Sequence, residues 1–323
     1  MMPAITFPSL LFLLLHCAVL STSTLISYKT YTLPNNTVGP AYISINYADN
    51  SALTGISNGR VVKFSFLTKT FTSFSSIPNR NGTFCDSNTD PNNYGTCGRP
   101  FGIAYNRSGY VYFCDAYKGL FGVGPSGGPA TPLVEFAGGL PVFFCNAVET
   151  DQCGTVYFTD TSQNFRDSSL AIRNRDATGR FIRYVPSTGQ VTVLATGLYT
   201  PTGIALSSDN SYALVSQLGN NILKYYLTGP STGTVQAFAS IFGPANVRRS
   251  LLGDYFYVPQ TPVPYIHYLI KINSAGVVVG NVSIAGPYST ALYYRDARPF
   301  LPPIFLIGSQ FPPFLGEATI PGF

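Results

Sequence analysis

Tyr110-Val111-Tyr112-Phe113-Cys114-Asp115 is echoed further along the chain by Thr155-Val156-Tyr157-Phe158-Thr159-Asp160. Both are short runs of β-branched and aromatic residues that end on a polar turn residue. Four more segments share the design: Ala52-Leu53-Thr54-Gly55, Tyr212-Ala213-Leu214-Val215-Ser216, Tyr255-Phe256-Tyr257-Val258 and Ile304-Phe305-Leu306-Ile307-Gly308-Ser309. Most lead into a further strand, at residues 60–66, 119–123, 180–185, 221–227 and 268–272. Two follow a Pro-x-Gly lead-in, Pro100-Phe101-Gly102-Ile103-Ala104 and Pro201-Thr202-Gly203-Ile204-Ala205. No long stretch carries an apolar period of 3.6 residues. Strand-and-turn units that recur every ~40 to 60 residues are the mark of propeller blades. Six copies predict an all-β chain, a six-bladed β-propeller, built as a single domain over residues 25–323. A pair of β-sandwiches would leave six equivalent segments unexplained. One helix is expected, at residues 168–174. In such a ring the innermost strands line an axial channel, and the residues that start them meet ligands at its mouth.

Composition narrows the chemistry. Of 323 residues, 45% are hydrophobic, 14% aromatic and only 10% charged. Ordinary soluble domains carry roughly 25% charge, and so apolar a chain is not disordered. The net charge is +5, with no block of lysine or arginine behind it, which excludes nucleic acid as a partner. There are two histidines, His16 and His267, and three glutamates, Glu135, Glu149 and Glu317. A zinc site of several histidines is thereby excluded, and histidine-dependent catalysis would have to use His267.

Residues 1–24 read as a secretory signal. Residues 4–20 are almost wholly apolar, and Ser21-Thr22-Ser23-Thr24 follow. As a membrane anchor the stretch is short, and Pro8 and His16 interrupt it. After cleavage no membrane attachment is expected, and the destination is the vacuole or the extracellular space. Four sequons, at Asn35, Asn81, Asn106 and Asn281, fit that route and predict a glycoprotein. Beyond the leader lie Cys85, Cys97, Cys114, Cys145 and Cys153, which an oxidising compartment would pair. Cys85 and Cys97 bracket a polar loop that a disulfide would pin. Cys145 and Cys153 form a possible second pair, and at least one cysteine stays free. The absence of a Cys-x-x-Cys motif argues against redox or metal chemistry.

Cys97-Gly98-Arg99-Pro100-Phe101-Gly102, residues 111–120 (VYFCDAYKGL), 154–162 (GTVYFTDTS), 178–187 (TGRFIRYVPS) and 222–229 (ILKYYLTG), and Asn246-Val247-Arg248-Arg249 together resemble the plant strictosidine synthase-like family. The resemblance spans most of the mature chain in the right order. The family's fold is a six-bladed propeller, and its disulfide loop has the spacing of Cys85 and Cys97. Its founding enzyme works in alkaloid biosynthesis, condensing an aromatic amine with an aldehyde in a Pictet–Spengler reaction of the carbon–nitrogen lyase class. That chemistry uses one glutamate in an apolar pocket, on the inner strand of the last blade, to take up and return protons. Here the corresponding strand, residues 288–294, holds no glutamate. The position falls on Thr290, or on Ser289 if the alignment slips by one, and a hydroxyl is no proton acceptor at neutral pH. Asp296 and Glu149 are the substitutes to test. The resemblance therefore implies a relative of these enzymes that is not a true strictosidine synthase.

Two other readings stand beside it. One is a divergent or non-catalytic propeller that binds a small aromatic or glycosidic ligand in its channel, with Tyr42, Tyr117, Phe143, Asn146, Thr202 and Asn246 lining the site. The other is an esterase or lactonase of the wider propeller superfamily, which holds calcium on acids and amides of successive inner strands. The matching positions here are Gly39-Pro40-Ala41, Asn146-Ala147, Thr202 and Ala245-Asn246, without the acids. No metal and no cofactor is expected.

Overall fold

The computed structural model of the chain describes residues 28–86, 90–219, 221–250, 255–263, 266–285, 291–294, 304–308 and 312–320. The leader at 1–24 and the positions Ser289, Thr290 and Asp296 lie outside the described residues.

Six antiparallel sheets of four main strands surround one axis. Blade 1 runs outward through Ile43–Asn46, Ser51–Gly55, Arg60–Ser65 and Phe71–Ser76. Blade 2 uses Pro100–Tyr105, Val111–Asp115, Gly119–Val123 and Thr131–Val134. Blade 3 uses Cys145–Thr150, Val156–Asp160, Gly179–Val185 and Gln190–Leu198. Blade 4 uses Pro201–Leu206, Tyr212–Gln217, Ile222–Tyr226 and Val235–Ala239. Blade 5 uses Arg248–Arg249, Tyr255–Val263, Ile266–Asn273 and Val278–Ala285. Blade 6 is assembled from both ends of the chain: Ala291–Tyr294, Ile304–Gly308 and Phe314–Thr319 accept Lys29–Thr32 as the outermost strand. Lys69 of blade 1 reaches Glu317 of blade 6 at 3.0 Å, beside this closure.

The six recurring apolar segments are the second strands of the blades. These strands are covered on both faces, so every residue of Val111–Asp115 and Val156–Asp160 is buried. Layers between blades fill with aromatic and branched side chains. Tyr112 and Cys114 of blade 2 meet Val148, Phe158 and Ile182 of blade 3, and Phe113 stacks on Phe121 at 5.5 Å. Each fully buried side chain of this size contributes roughly 1.5–3 kcal/mol. The predicted helix is present at Ser168–Arg173, capped by Asp167, whose carboxylate accepts the N–H groups of Ser169 and Leu170.

Cys85 and Cys97 form a disulfide. The pairing of Cys145 with Cys153 is corrected by the structure: Cys145 bonds Cys114 and so joins blade 3 to blade 2. The reason is register. Cys145 begins an inner strand opposite Asp160, whereas Cys153 sits in the turn at the other end of that hairpin. Several strand residues at ~3.3 Å each separate them, beyond the reach of a disulfide. Cys153 is free and exposed.

Candidate functional site

The channel mouth is organised by a repeated tether. Each of the first four blades ends its second strand near a polar acceptor that takes the backbone N–H at the approach to the inner strand. Ser57 Oγ accepts from Val38 N at 2.9 Å, and Asp115 Oδ2 from Arg99 N at 2.7 Å. Asp160 Oδ1 accepts from Phe144 N at 2.7 Å, and Gln217 Oε1 from Tyr199 N at 2.7 Å. These N–H groups enter buried ground with no strand partner of their own, so a side-chain acceptor settles them. In blade 2 the fit requires glycine: Gly98 has φ +84°, and a Cβ there would stand 2.6 Å from Asp115 Oδ2. Asp115 is fully buried, which pushes its pKa up to about 6 against the pull of the two N–H groups it accepts, from Tyr117 and Arg99. Asp160 is raised by burial as well, although Arg180 Nη2 lies 2.6 Å away.

The tethers hold open a pocket of about 420 Å³ at the mouth. Its walls are Tyr94, Phe101, Tyr117 and Phe144, with Val38 and Pro91 at the edge. Tyr94 meets Tyr117 edge-on at 6.1 Å, and Phe101 tilts against Phe144 at 5.8 Å. Two guanidinium groups share these walls. Arg99 is buried, 5.0 Å from the Phe101 ring and 5.7 Å from Tyr94. Arg166 is half-buried, 4.0 Å from the Phe143 ring and 4.8 Å from Tyr117. The pocket's one described carboxylate, Asp167, is exposed and caps the helix. Aromatic walls with few convergent polar groups are the usual form of a small-molecule site.

A second, narrower chamber of about 40 Å³ shares Phe101 and Ser168 with the mouth pocket. Tyr42, Asn146 and Thr202 line it. Tyr42 Oη and Thr202 Oγ1 are buried without a hydrogen-bond partner among the described residues. Arg248 stands 5.5 Å from the Tyr42 ring and binds Glu149 at 2.9 Å.

The expected site residues thus divide. Tyr117 lies on the mouth pocket; Tyr42, Asn146 and Thr202 lie in the chamber below. Phe143 supports Arg166. Asn246 packs on blade 4, where a Cβ at Gly203 would stand 2.7 Å from its Oδ1. Glu149 lines neither cavity and is held by Arg248. His267 is buried on the third strand of blade 5, away from both cavities. Of the sequons, Asn35, Asn81 and Asn281 are exposed and Asn106 is half-buried. Sequence reasoning missed Tyr94, Arg99, Phe101, Phe144 and Arg166. Arg99 and Phe101 stand inside the Cys97–Gly102 motif, and Phe144 adjoins Phe143, so both signals were in reach. Arg166 lies in an irregular loop with no pattern to flag it.

The strictosidine synthase family profile matches residues 146–230. Strictosidine synthase-like 11 of Arabidopsis thaliana is 32% identical over 96% of this chain and 98% of its own length. Strictosidine synthase of Catharanthus roseus is 35% identical over 67% of this chain and 64% of its own length. Among solved structures, a gluconolactonase from Xanthomonas campestris shares the fold with TM-score 0.65 at 17% identity, over 91% of this chain and 88% of its own. A calcium-binding regucalcin from Agrobacterium tumefaciens does so with TM-score 0.66 at 13% identity, over 92% and 95%. With near-complete coverage on both sides of the first alignment, the chain belongs to the strictosidine synthase-like family.

Proposed function

We propose that this protein binds a small aromatic ligand at the mouth of its channel and is not a true strictosidine synthase. One observation carries the reading: the 420 Å³ pocket is walled by four aromatic rings and two guanidinium groups, and its described carboxylate is committed to a helix cap. Condensing an amine with an aldehyde needs a carboxylate that can take up and return protons in an apolar surround. Among the described lining residues none is free for that task. The ring of the ligand sits beside Tyr117, next to the smaller chamber that Tyr42, Asn146 and Thr202 line. Calcium-dependent hydrolysis, the lactonase reading, does not fit these walls. The described chamber offers hydroxyls and one amide, whereas calcium asks for several oxygens, carboxylates among them.

The same proposal places the protein in the secretory pathway, bound for the vacuole or the extracellular space. The leader, the four sequons, three of them exposed, and the two disulfides support this route. Sequence likeness to the Catharanthus roseus enzyme favours the second reading, amine–aldehyde condensation. Purified protein incubated with tryptamine and secologanin, with and without Ca²⁺, and separately with phenyl acetate, distinguishes the three. The expected outcome is no condensation product and no ester hydrolysis. Equilibrium titration with small aromatic compounds should show saturable binding that Tyr117→Ala weakens about tenfold, the usual worth of a lost aromatic contact. Product formation, or aromatic compounds binding no better than aliphatic ones of equal size, would overturn the proposal.

A further inference from the structure

We propose that Arg166 makes the mouth pocket selective for aromatic acids, its guanidinium binding the carboxylate of a ligand whose ring lies among Tyr94, Phe101, Tyr117 and Phe144. The inference rests on the aromatic-pocket reading and adds the charge of the ligand. Arg166 leaves the chain in the loop between Asp160 and the helix Ser168–Arg173. Its guanidinium faces the Phe143 ring at 4.0 Å and the Tyr117 ring at 4.8 Å. Among the described residues one donor is used: Nη1 bonds the Ala116 carbonyl at 3.1 Å. No described carboxylate lies within 4.0 Å of it. Four other arginines differ in this respect. Arg180 is paired with Asp160, Arg248 with Glu149, and Arg60 and Arg80 with Asp86.

The charges around Arg166 sharpen the point. Asp115 and Asp160 act on it through space, each fully buried and already accepting backbone N–H groups. Asp167 caps the helix at the rim, and Arg99 adds a second cation on the same pocket. Lys118 and Glu135 line a separate groove that Arg166 also borders. A half-buried cation with unused fork geometry, set beside flat apolar walls, is complementary to a planar carboxylate on an aromatic ring. An ammonium ligand would meet two guanidinium groups instead.

Three indoles with the same ring test this: indole-3-acetate, indole-3-acetamide and tryptamine. The protein has no tryptophan, so indole emission reports the ligand directly. Wild-type protein is expected to bind the acetate about tenfold or more tighter than the acetamide, with tryptamine weakest, as a charge-assisted hydrogen bond implies. Arg166→Gln should bring the acetate to within about twofold of the acetamide, with acetamide affinity falling far less than acetate affinity, and Arg166→Lys should restore part of the preference. Added salt should narrow the wild-type gap. Equal binding of acetate and acetamide by wild type, a preference that survives Arg166→Gln, or an equal loss of both ligands in that variant would overturn the role given to Arg166 while leaving the aromatic pocket standing. Failure of all three indoles to bind would overturn the pocket reading itself.

Discussion

Asp160→Ala is expected to be among the most costly single changes in the ring. The carboxylate is fully buried and has three jobs. Oδ1 accepts Phe144 N–H at 2.7 Å. Oδ2 takes Arg180 Nη2 at 2.6 Å and Nε at 3.1 Å, and also Gln163 Nε2. Arg180 is itself only 4% exposed at its side chain, and its other bonds go to the carbonyls of Ala137 and Pro141. Alanine would leave a buried guanidinium without its counter-charge, a loss of about 3–5 kcal/mol. The Phe144 N–H would lose its acceptor, adding about 1–3 kcal/mol before relaxation. Against a typical total of ~5–15 kcal/mol, much of the stability disappears. Urea unfolding followed by circular dichroism measures it, with an unchanged slope confirming that the same surface unfolds. The complementary variant removes both charges. Asp160→Leu with Arg180→Met should be at least ~2 kcal/mol more stable than Asp160→Leu alone, because no unpaired ion remains. A cost below ~1 kcal/mol for Asp160→Ala, or no recovery in the double variant, would refute the tether-and-pair account.

Asp115 supplies a pH signature. Its folded pKa of about 6 lies above the ordinary aspartate value of 3.8, so its contribution to stability is full below about pH 4 and is lost as pH rises through about 6. Asp115→Asn loses one of the two acceptors, and its deficit relative to wild type should be largest near pH 4 and shrink by about 3 kcal/mol by about pH 7, at roughly 1.4 kcal/mol per unit. A deficit that stays flat across that range would exclude a raised carboxyl. For the cysteines, Cys114→Ser with Cys145→Ser should cost about 3–4 kcal/mol, the loop-closure value for a 31-residue separation, in urea unfolding. In protein lacking residues 1–24, Cys153→Ser should leave stability unchanged while abolishing reaction with a thiol reagent, and a native protein inert to that reagent would contradict an exposed free thiol.

The blade frame was legible because second strands advertise themselves. Val111–Asp115 and Val156–Asp160 are buried on both faces, so they appear as unbroken apolar runs that repeat around the ring. The inner strands were harder to recognise by hydropathy. They face a channel and crowd their neighbours, so Pro201–Leu206 carries glycine where Asn246 presses against it. Helix Ser168–Arg173 could be placed because its sequence breaks the strand pattern, and Asp167 marks its start. The partner of Cys145 could not be read, because contact between adjacent blades leaves no periodic trace along the chain. Tyr117 and Phe143 were found by their position near strand ends. Arg166 was missed because a loop residue acquires its role only from where the tethers put the loop.

That last point explains how one ring can serve different chemistries. In blades 2 and 3 the buried carboxylates Asp115 and Asp160 fix the backbone of Arg99 and Phe144, and so fix two pocket walls from within the frame. Of the remaining walls, Phe101 lies on the inner strand Pro100–Tyr105, whereas Tyr94, Tyr117 and Arg166 sit on segments outside the strands. Changing Tyr94 or Arg166 disturbs no sheet register, so substitution there alters the pocket at little cost in stability, whereas Tyr117 also packs on the buried cluster that holds Phe101 and Phe144. The likeness among solved structures fits this division: at 13–17% identity the ring persists, which carries the fold and leaves the ligand open. Within this chain the residues that decide chemistry are therefore the few the frame does not need. A loop arginine lodged between two rings, set in the wall of an aromatic pocket, carries more information about the ligand than the six repeated strands that put it there.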